Sequence, residues 1–366
     1  MKHISSFIGN VGDVLSNAGF SHYLEANNCH ISERIEIRNF YRNVPQHVRR
    51  NFDDVFNECQ QSGEELVIGG GGFLDYWVDQ SRTATTIDVG LALVAETDFK
   101  LIITSIGSFP HKYVSPENRA RFIEFMSVLT QRKNTFVMLR NDGSADELKT
   151  ILSEDVFKKL YLGADNAYLL EPSLHQYTAK KAPNQLGEYI VFNVAPDQLH
   201  MDSKFRGEID YEHFKKQILQ TIRYVIQVLN KKVVLVPHLL SDVKFYIELC
   251  ESLDDLMVRE SVTLFTYSGQ YNALQGYFDV YSNSSANVCT RLHANILSAM
   301  LNKKTVSLCV LDRVRAVAEQ HQNLNAVTAF DGNFSDQISE YLLKSHQLEN
   351  ASNLYRLLDA FYSRVL

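Results

Sequence analysis

Short apolar runs alternate with amphipathic helical stretches along nearly the whole chain, and this alternation leaves few architectures open. In the first half, Ile4–Phe7, Leu66–Ile68, Asp98–Gly107 and Thr135–Arg140 read as strands. Helices are expected around Phe20 to Leu24, over Asn118 to Gln131 and over Ala145 to Leu152. In the second half the strands are Tyr189–Val194, Lys232–His238, Val262–Phe265, Ala286–Cys289 and Thr305–Val310. Helices fall at Tyr211 to Leu229, from Ser241, over Gln270 to Tyr281, and from Leu292. The pattern predicts an α/β protein with two open, mostly parallel sheets covered by helices on both faces. The polar, Lys-, Pro- and Gly-containing stretch 178–187 reads as a linker. It divides an N-terminal domain, 1–177, from a C-terminal domain, 188–345, and 346–366 form a helix able to pack back on the first domain.

Composition narrows the partners. A net charge of −7 and a pI near 6.0 argue against nucleic acid. No apolar run is long enough to span a bilayer, and the first residues lack a signal-peptide core, so the expected location is cytoplasmic, with peripheral attachment at the inner face of the membrane left open. Five scattered cysteines without a C-x-x-C spacing suggest buried thiols in a reducing compartment, and no spacing suggests a metal site.

Candidate site residues cluster at strand ends. Arg291 and His293 sit where the strand Ala286–Cys289 feeds a helix, with Thr290 as the expected N-cap. Free N–H groups and the helix dipole suit an anion there, a guanidinium can fork onto phosphate or carboxylate, and an imidazole can move a proton. The alternative is a satisfied junction with Arg291 paired to a carboxylate. His238 follows the strand that Pro237 ends, and Asp242 lies four residues on, so the carboxylate can orient the imidazole or simply cap the helix. Arg140 closes another strand, at the edge where open α/β sheets bind ligands, while Asp142 and Ser144 suit helix capping. Gly69, Gly70, Gly71 and Gly72 follow the apolar run Leu66–Ile68 and are expected to break it. They either cradle a ligand with backbone N–H groups or allow a tight backbone crossing. Gly9 and Gly12 with Asp13 form a similar, weaker feature, in which Asp13 can hold a hydroxyl. His111 and Lys112 lie in a loop and either reach into a cleft or, the favoured reading, form a solvated pair.

In order and spacing, Gly12-Asp13, Gly69–Gly72, Leu139-Arg-Asn-Asp142 with Ser144, Asp165-Asn-Ala167, Val236-Pro-His238 with Asp242, and Thr290-Arg-Leu-His-Ala294 resemble the polysaccharide pyruvyl transferase family. The resemblance implies two Rossmann-like domains in the GT-B manner with an interdomain cleft. It implies phosphoenolpyruvate as co-substrate, no cofactor or metal, and a saccharide acceptor that is a glycan or its lipid- or nucleotide-linked precursor. Arg291 would bind the donor, with Arg140 assisting. His293 would be the first acid–base candidate and His238, oriented by Asp242, the second. Gly69–Gly72 and Asp13 would face the acceptor. Three positions depart from the pattern: Asn193 stands where members often carry an arginine, Asn141 where they carry aspartate, and Asn166 where they carry proline. The rival readings are a nucleotide-sugar glycosyltransferase of the same architecture and a non-catalytic sugar-binding relative.

Overall fold

The computed structural model describes all residues except 42, 179–185, 200–208 and 345–352, so the linker expected at 178–187 lies largely outside the described residues. The described chain divides into two compact units. One comprises Met1–Phe7, Ser16–Leu169 and Asn353–Leu366; the other comprises Ile8–Leu15 and Leu170–Ser352.

The first unit is built on six parallel strands: β1 (Lys2–Ser5), β2 (Glu33–Glu36), β3 (Leu66–Gly71), β4 (Leu101–Ile106), β5 (Thr135–Leu139) and β6 (Tyr161–Leu162). Their spatial order is β2-β1-β3-β4-β5-β6. The central strands β3 and β4 are buried along their whole length because helices cover both faces, and their first halves, Leu66–Ile68 and Leu101–Ile103, are apolar runs. Ile68, Ile103 and Val137 lie in one core with Phe56, Phe122 and Leu148 from the flanking helices. The C-terminal helix Leu354–Val365 packs in this unit, where the Tyr362 hydroxyl donates to Asn166 Oδ1 at 2.7 Å and also meets Thr104.

The glycine run does not break its strand. β3 continues through Gly71, with Gly69 beside Thr104 and Gly71 beside Ile106 of β4. Between these pairs Gly70 takes φ +82° and Ser105 φ +50°. A Cβ on Gly69 would lie 2.1 Å from the Thr104 carbonyl oxygen, so backbone proximity requires glycine there.

The second unit repeats the plan with β7 (Tyr189–Asn193), β8 (Lys232–Leu235), β9 (Val262–Leu264), β10 (Ala286–Cys289), β11 (Thr305–Cys309) and β12 (Leu324–Thr328). All pairings are parallel, in the order β12-β11-β10-β7-β8-β9. Phe192, Val288 and Leu308 form the sheet side of a core that the helices Tyr211–Gln227, Leu240–Glu251 and Phe334–Leu343 close. Each unit is thus a doubly wound, Rossmann-like α/β sheet. All five cysteines are free thiols; Cys59, Cys289 and Cys309 are buried, and Cys29 and Cys250 are partly exposed. Among the described residues no helix is long and apolar enough to cross a membrane.

Candidate functional site

The centre of the second sheet is the pair β7 and β10, whose carboxyl ends lie together, with Asn193 beside Cys289. Thr290 follows directly, but it is not the helix cap. Its hydroxyl accepts from Ala195 N at 3.0 Å and donates to the Asn193 carbonyl at 3.3 Å, so it ties the outgoing chains of the two strands together. Arg291 occupies the N-cap position of the Leu292–Met300 helix with extended backbone, and its side chain makes no capping bond. The guanidinium is spent elsewhere. Nε donates to Asp242 Oδ2 at 2.9 Å, Nη2 contacts Asp242 Oδ1, and Nη2 also reaches Asp197 Oδ2 at 3.1 Å. Burial opposes its charge, but the two carboxylates outweigh burial and hold Arg291 above the usual arginine value. Nη1 makes no hydrogen bond among the described residues.

Asp242 therefore orients Arg291 and not the His238 imidazole. Its Oδ2 additionally accepts the backbone N–H groups of His238 (2.9 Å) and Leu239 (3.0 Å), which caps the Leu240–Glu251 helix. The expected His238–Asp242 side-chain pair is absent because Arg291, arriving from far along the chain, offers the carboxylate a charged, forked partner. The His238 ring instead bonds Tyr281 through Nε2 at 3.1 Å, and its Nδ1 is buried without a partner among the described residues. Burial first, then the guanidinium of Arg291 and the nearby ring of His293, push His238 well below the ordinary histidine value, so the ring is neutral. A neutral imidazole carries one proton, and the Tyr281 hydroxyl decides whether Nδ1 donates or accepts.

His293 is in the first turn of the Leu292–Met300 helix, 9% exposed. Its ring lies against the start of the Val11–Ala26 helix: a Cβ on Gly12 would sit 2.2 Å from His293 Nδ1. Val11 N donates to the His238 carbonyl at 3.0 Å, which places Gly12 and Asp13 in this same cluster. Asp13 is half-buried in the helix's first turn. Asn193 is fully buried; its Nδ2 donates to the Val236 carbonyl at 2.8 Å, and its Oδ1 has no partner among the described residues. Two orphaned polar atoms, Asn193 Oδ1 and His238 Nδ1, thus lie at the carboxyl edge of β7 and β8. Buried groups without partners are costly and call for a ligand or water to complete them.

The remaining candidates belong to the first unit. Arg140 is 4% exposed, with Nε 2.6 Å from Asp142 Oδ2 and Nη1 3.9 Å from Asp165 Oδ2. Burial works against its charge, but Asp142, Asp165 and Asp75 outweigh it and raise Arg140 above the ordinary value. Asp142 accepts from Ser144 as well, so these motif residues form one closed network. Gly69, Gly70 and Gly71 are buried within β3, and Gly72 is half-buried just beyond it. The structure thus brings Arg291, His293, His238, Asp242 and the Gly12–Asp13 turn together in the second unit, and holds Arg140 and the glycines separately in the first. Two participants escape the sequence reading. Asp197 follows β7 by four residues, so its position at a strand's carboxyl edge was available as a signal. Tyr281 sits at the end of the Leu274–Ser282 helix, where nothing in the local pattern marks it.

No curated protein matches the chain in sequence. Solved structures match its fold. The UDP-GlcNAc 2-epimerase of Methanocaldococcus jannaschii superposes with a TM-score of 0.57 at 10% identity, covering 99% of each chain. The S. aureus MnaA structure with UDP gives 0.58 at 12% identity, covering 100% of this chain and 98% of that one. The Neisseria meningitidis UDP-GlcNAc 2-epimerase bound to UDP-GlcNAc gives 0.52 at 14% identity, covering 95% and 88%. At these identities the likeness establishes a shared two-domain Rossmann-like fold. The profile of the family described as polysaccharide pyruvyl transferase matches residues 10–308. That span runs from Asn10, at the turn against His293, to Leu308 of β11, and so takes in every residue of the cluster described above. With most of its length matched, the chain belongs to the polysaccharide pyruvyl transferase family.

Proposed function

We propose that the chain transfers the enolpyruvyl group of phosphoenolpyruvate onto two hydroxyls of a saccharide, giving a pyruvate ketal and phosphate. The acceptor is a surface glycan or its lipid- or nucleotide-linked precursor. The methylene carbon gains a proton and becomes a methyl group, which leaves an oxocarbenium-like centre at C2. One sugar hydroxyl adds there and loses its proton, the bond from C2 to the phosphate oxygen breaks, and the second hydroxyl closes the ketal. Of the two hydroxyl protons, one balances the new methyl group and the other leaves with phosphate.

The single observation that carries this reading is the state of Arg291. Its Nε and Nη2 are fixed by Asp242 and Asp197, and Nη1 remains for an anionic donor beside His293. His293 is the residue assigned to proton delivery at the methylene carbon. His238, held neutral by its surroundings, suits removal of a hydroxyl proton through Nδ1 when Tyr281 leaves that nitrogen bare. Asp242 acts as a positioning residue through Arg291.

A second reading is a nucleotide-sugar glycosyltransferase. It is favoured by Asn193, uncharged at the end of β7, and by the two carboxylates that share Arg291, since both make the site less positive than a trianionic donor prefers. Structures of this fold have been solved with UDP and with UDP-GlcNAc. One assay separates the readings: the chain is incubated with candidate glycosides plus either phosphoenolpyruvate or UDP-sugars. Phosphate release coupled to a ketal mass gain is expected with phosphoenolpyruvate alone; product formed only with a UDP-sugar would establish the rival.

A further inference from the structure

From Gly72 to Gly90 the chain forms neither helix nor strand, although this stretch belongs to a compact unit. Loops of that length are uncommon in such settings and are usually functional. This one is held rigidly. Arg82 forks onto Asp53, with Nη1 to Oδ2 at 2.7 Å and Nη2 to Oδ1 at 3.1 Å, and its Nε donates to Asp88 Oδ1 at 2.9 Å. Arg121 donates to the carbonyls of Ser81 (2.6 Å) and Asp79 (2.8 Å). Inside the loop a buried hydroxyl chain runs from Ser81 to Thr83 (3.0 Å) and on to Thr85 (2.9 Å). These bonds belong to the scaffold and prepare one wall of a cavity.

The cavity has a volume of about 470 Å³ and is completed by Phe40 and Tyr41, which follow β2. That is within the roughly 300–1,000 Å³ usual for small-molecule sites. Three aromatic rings stand on its walls, those of Phe40, Tyr41 and Trp77. Tyr41 is 40% exposed. Trp77, the only tryptophan of the chain, is half-buried, with the His111 ring edge-on at 4.4 Å and the Lys112 ammonium 5.3 Å from its centre. Acceptors stand beside the rings. Asp79 spends Oδ1 on Asn118 and Asp88 spends Oδ1 on Arg82. The second oxygen of each carboxylate, and the Thr86 hydroxyl, make no hydrogen bond among the described residues. No lysine or arginine lines the cavity among the described residues.

Each feature selects against a class of ligand. Asp88 is already paired with Arg82, and the Asp79 carboxylate, in a cavity that no lysine or arginine lines among the described residues, disfavours phosphate and carboxylate groups. Aromatic faces carry negative charge density and attract the polarised C–H face of a pyranose ring. Carboxylate oxygens take charge-assisted hydrogen bonds from hydroxyls. We infer that this cavity is a saccharide-binding subsite for a neutral glycan segment, an inference that rests on the transferase reading above for its identification of that glycan as the acceptor. Neither Trp77 nor Tyr41 belongs to the motif set that carries the family resemblance.

The single tryptophan makes the test direct. The full-length chain is titrated, without phosphoenolpyruvate, with neutral gluco-, galacto- and manno-oligosaccharides while Trp77 emission is followed. A saturable change with at least one of them is expected. Tyr41→Ala should weaken that binding tenfold or more, and Asp79→Asn severalfold, with melting temperatures near wild type because both side chains are exposed. No emission change with any of these sugars would overturn the inference, as would unchanged affinity in Tyr41→Ala. A response to choline alone would overturn it too, since the pocket would then be a cation site. Failure of the transferase reading looks different: saccharide binding at Trp77 with no phosphate release from phosphoenolpyruvate leaves the subsite standing. Conversely, ketal formation with an acceptor KM untouched by Tyr41→Ala sinks the subsite and spares the transferase.

Discussion

Asp242 clasps Arg291 along one edge of the guanidinium, with Oδ2 2.9 Å from Nε and Oδ1 against Nη2, and the same Oδ2 caps two backbone N–H groups at the start of the next helix. One carboxylate thereby joins the end of β8 to the end of β10, the two places where the proposed donor site is built.

Removing that carboxylate leaves a buried cation with, among the described residues, only the half-exposed Asp197 beside it. Asp242→Ala is expected to cost about 3 kcal/mol, at the low end for broken buried pairs because Asp197 remains. Urea denaturation measures it. Asp197→Asn should cost less than about 1 kcal/mol, as partly exposed pairs do. If the donor is an anion, Asp197→Asn should also lower its KM, because one negative charge leaves the site.

His293 is positioned by the absence of a side chain at residue 12. In Gly12→Ala the new Cβ would fall 2.2 Å from Nδ1, so the ring must move. The variant should lose tenfold or more in kcat with a smaller change in donor KM, resembling His293→Ala, whereas Arg291→Ala should mainly raise donor KM. Steady-state phosphate release gives both constants, and wild-type kcat in Gly12→Ala would remove His293 from its assigned role.

Gly69 makes a different demand. Here the clash is with backbone, the Thr104 carbonyl at 2.1 Å, which no rotamer change relieves. Gly69→Ala should destabilise the first unit by about 3 kcal/mol, the upper part of the range for overpacking. A thermal melt matching wild type would show that the strands can part there.

His3 makes stability depend on pH. It is 1% exposed on β1, its Nδ1 lacks a partner among the described residues, and the rings of Phe7 and Phe20 pack edge-on against it. Burial, with a smaller push from Arg34, lowers it from 6.5 to about 3. The folded state therefore binds fewer protons than the unfolded chain below pH 6.5. Its stability is complete above that pH and falls as pH drops from 6.5 toward 3. Between pH 7.5 and 5.5 the loss from this group is about 1.4 kcal/mol. His3→Leu should remove that much of the pH dependence when unfolding is measured at both values.

Where the pattern was strong and local, it was readable. Ala286–Cys289 is a strand and Leu292 begins a helix in the structure as in the sequence, because an apolar run and a helical repeat are set by neighbouring residues alone. Edge elements were not readable. β2, Glu33-Arg-Ile-Glu36, buries only Ile35, and a charged four-residue edge strand has no hydrophobic run to announce it. The glycine run is opaque for the opposite reason: entropy and propensity argue against glycines in a strand, yet Gly69, Gly70 and Gly71 continue β3, and at Gly69 the nearness of the Thr104 backbone demands a residue without a side chain.

The chain by itself determined the two alternating α/β halves, the placing of Arg291 and His293 at a strand-to-helix junction, and the motif order that marks the family. Those are properties of periodicity and spacing, which a linear sequence carries. Which partner each charge takes was decided only in three dimensions. The spacing of His238 and Asp242 is compatible with a side-chain pair, yet Asp242 binds Arg291, 49 residues on, and His238 turns to Tyr281. In a buried, weakly screened setting a carboxylate goes to the strongest donor that packing brings within reach, and packing is a property of the whole fold.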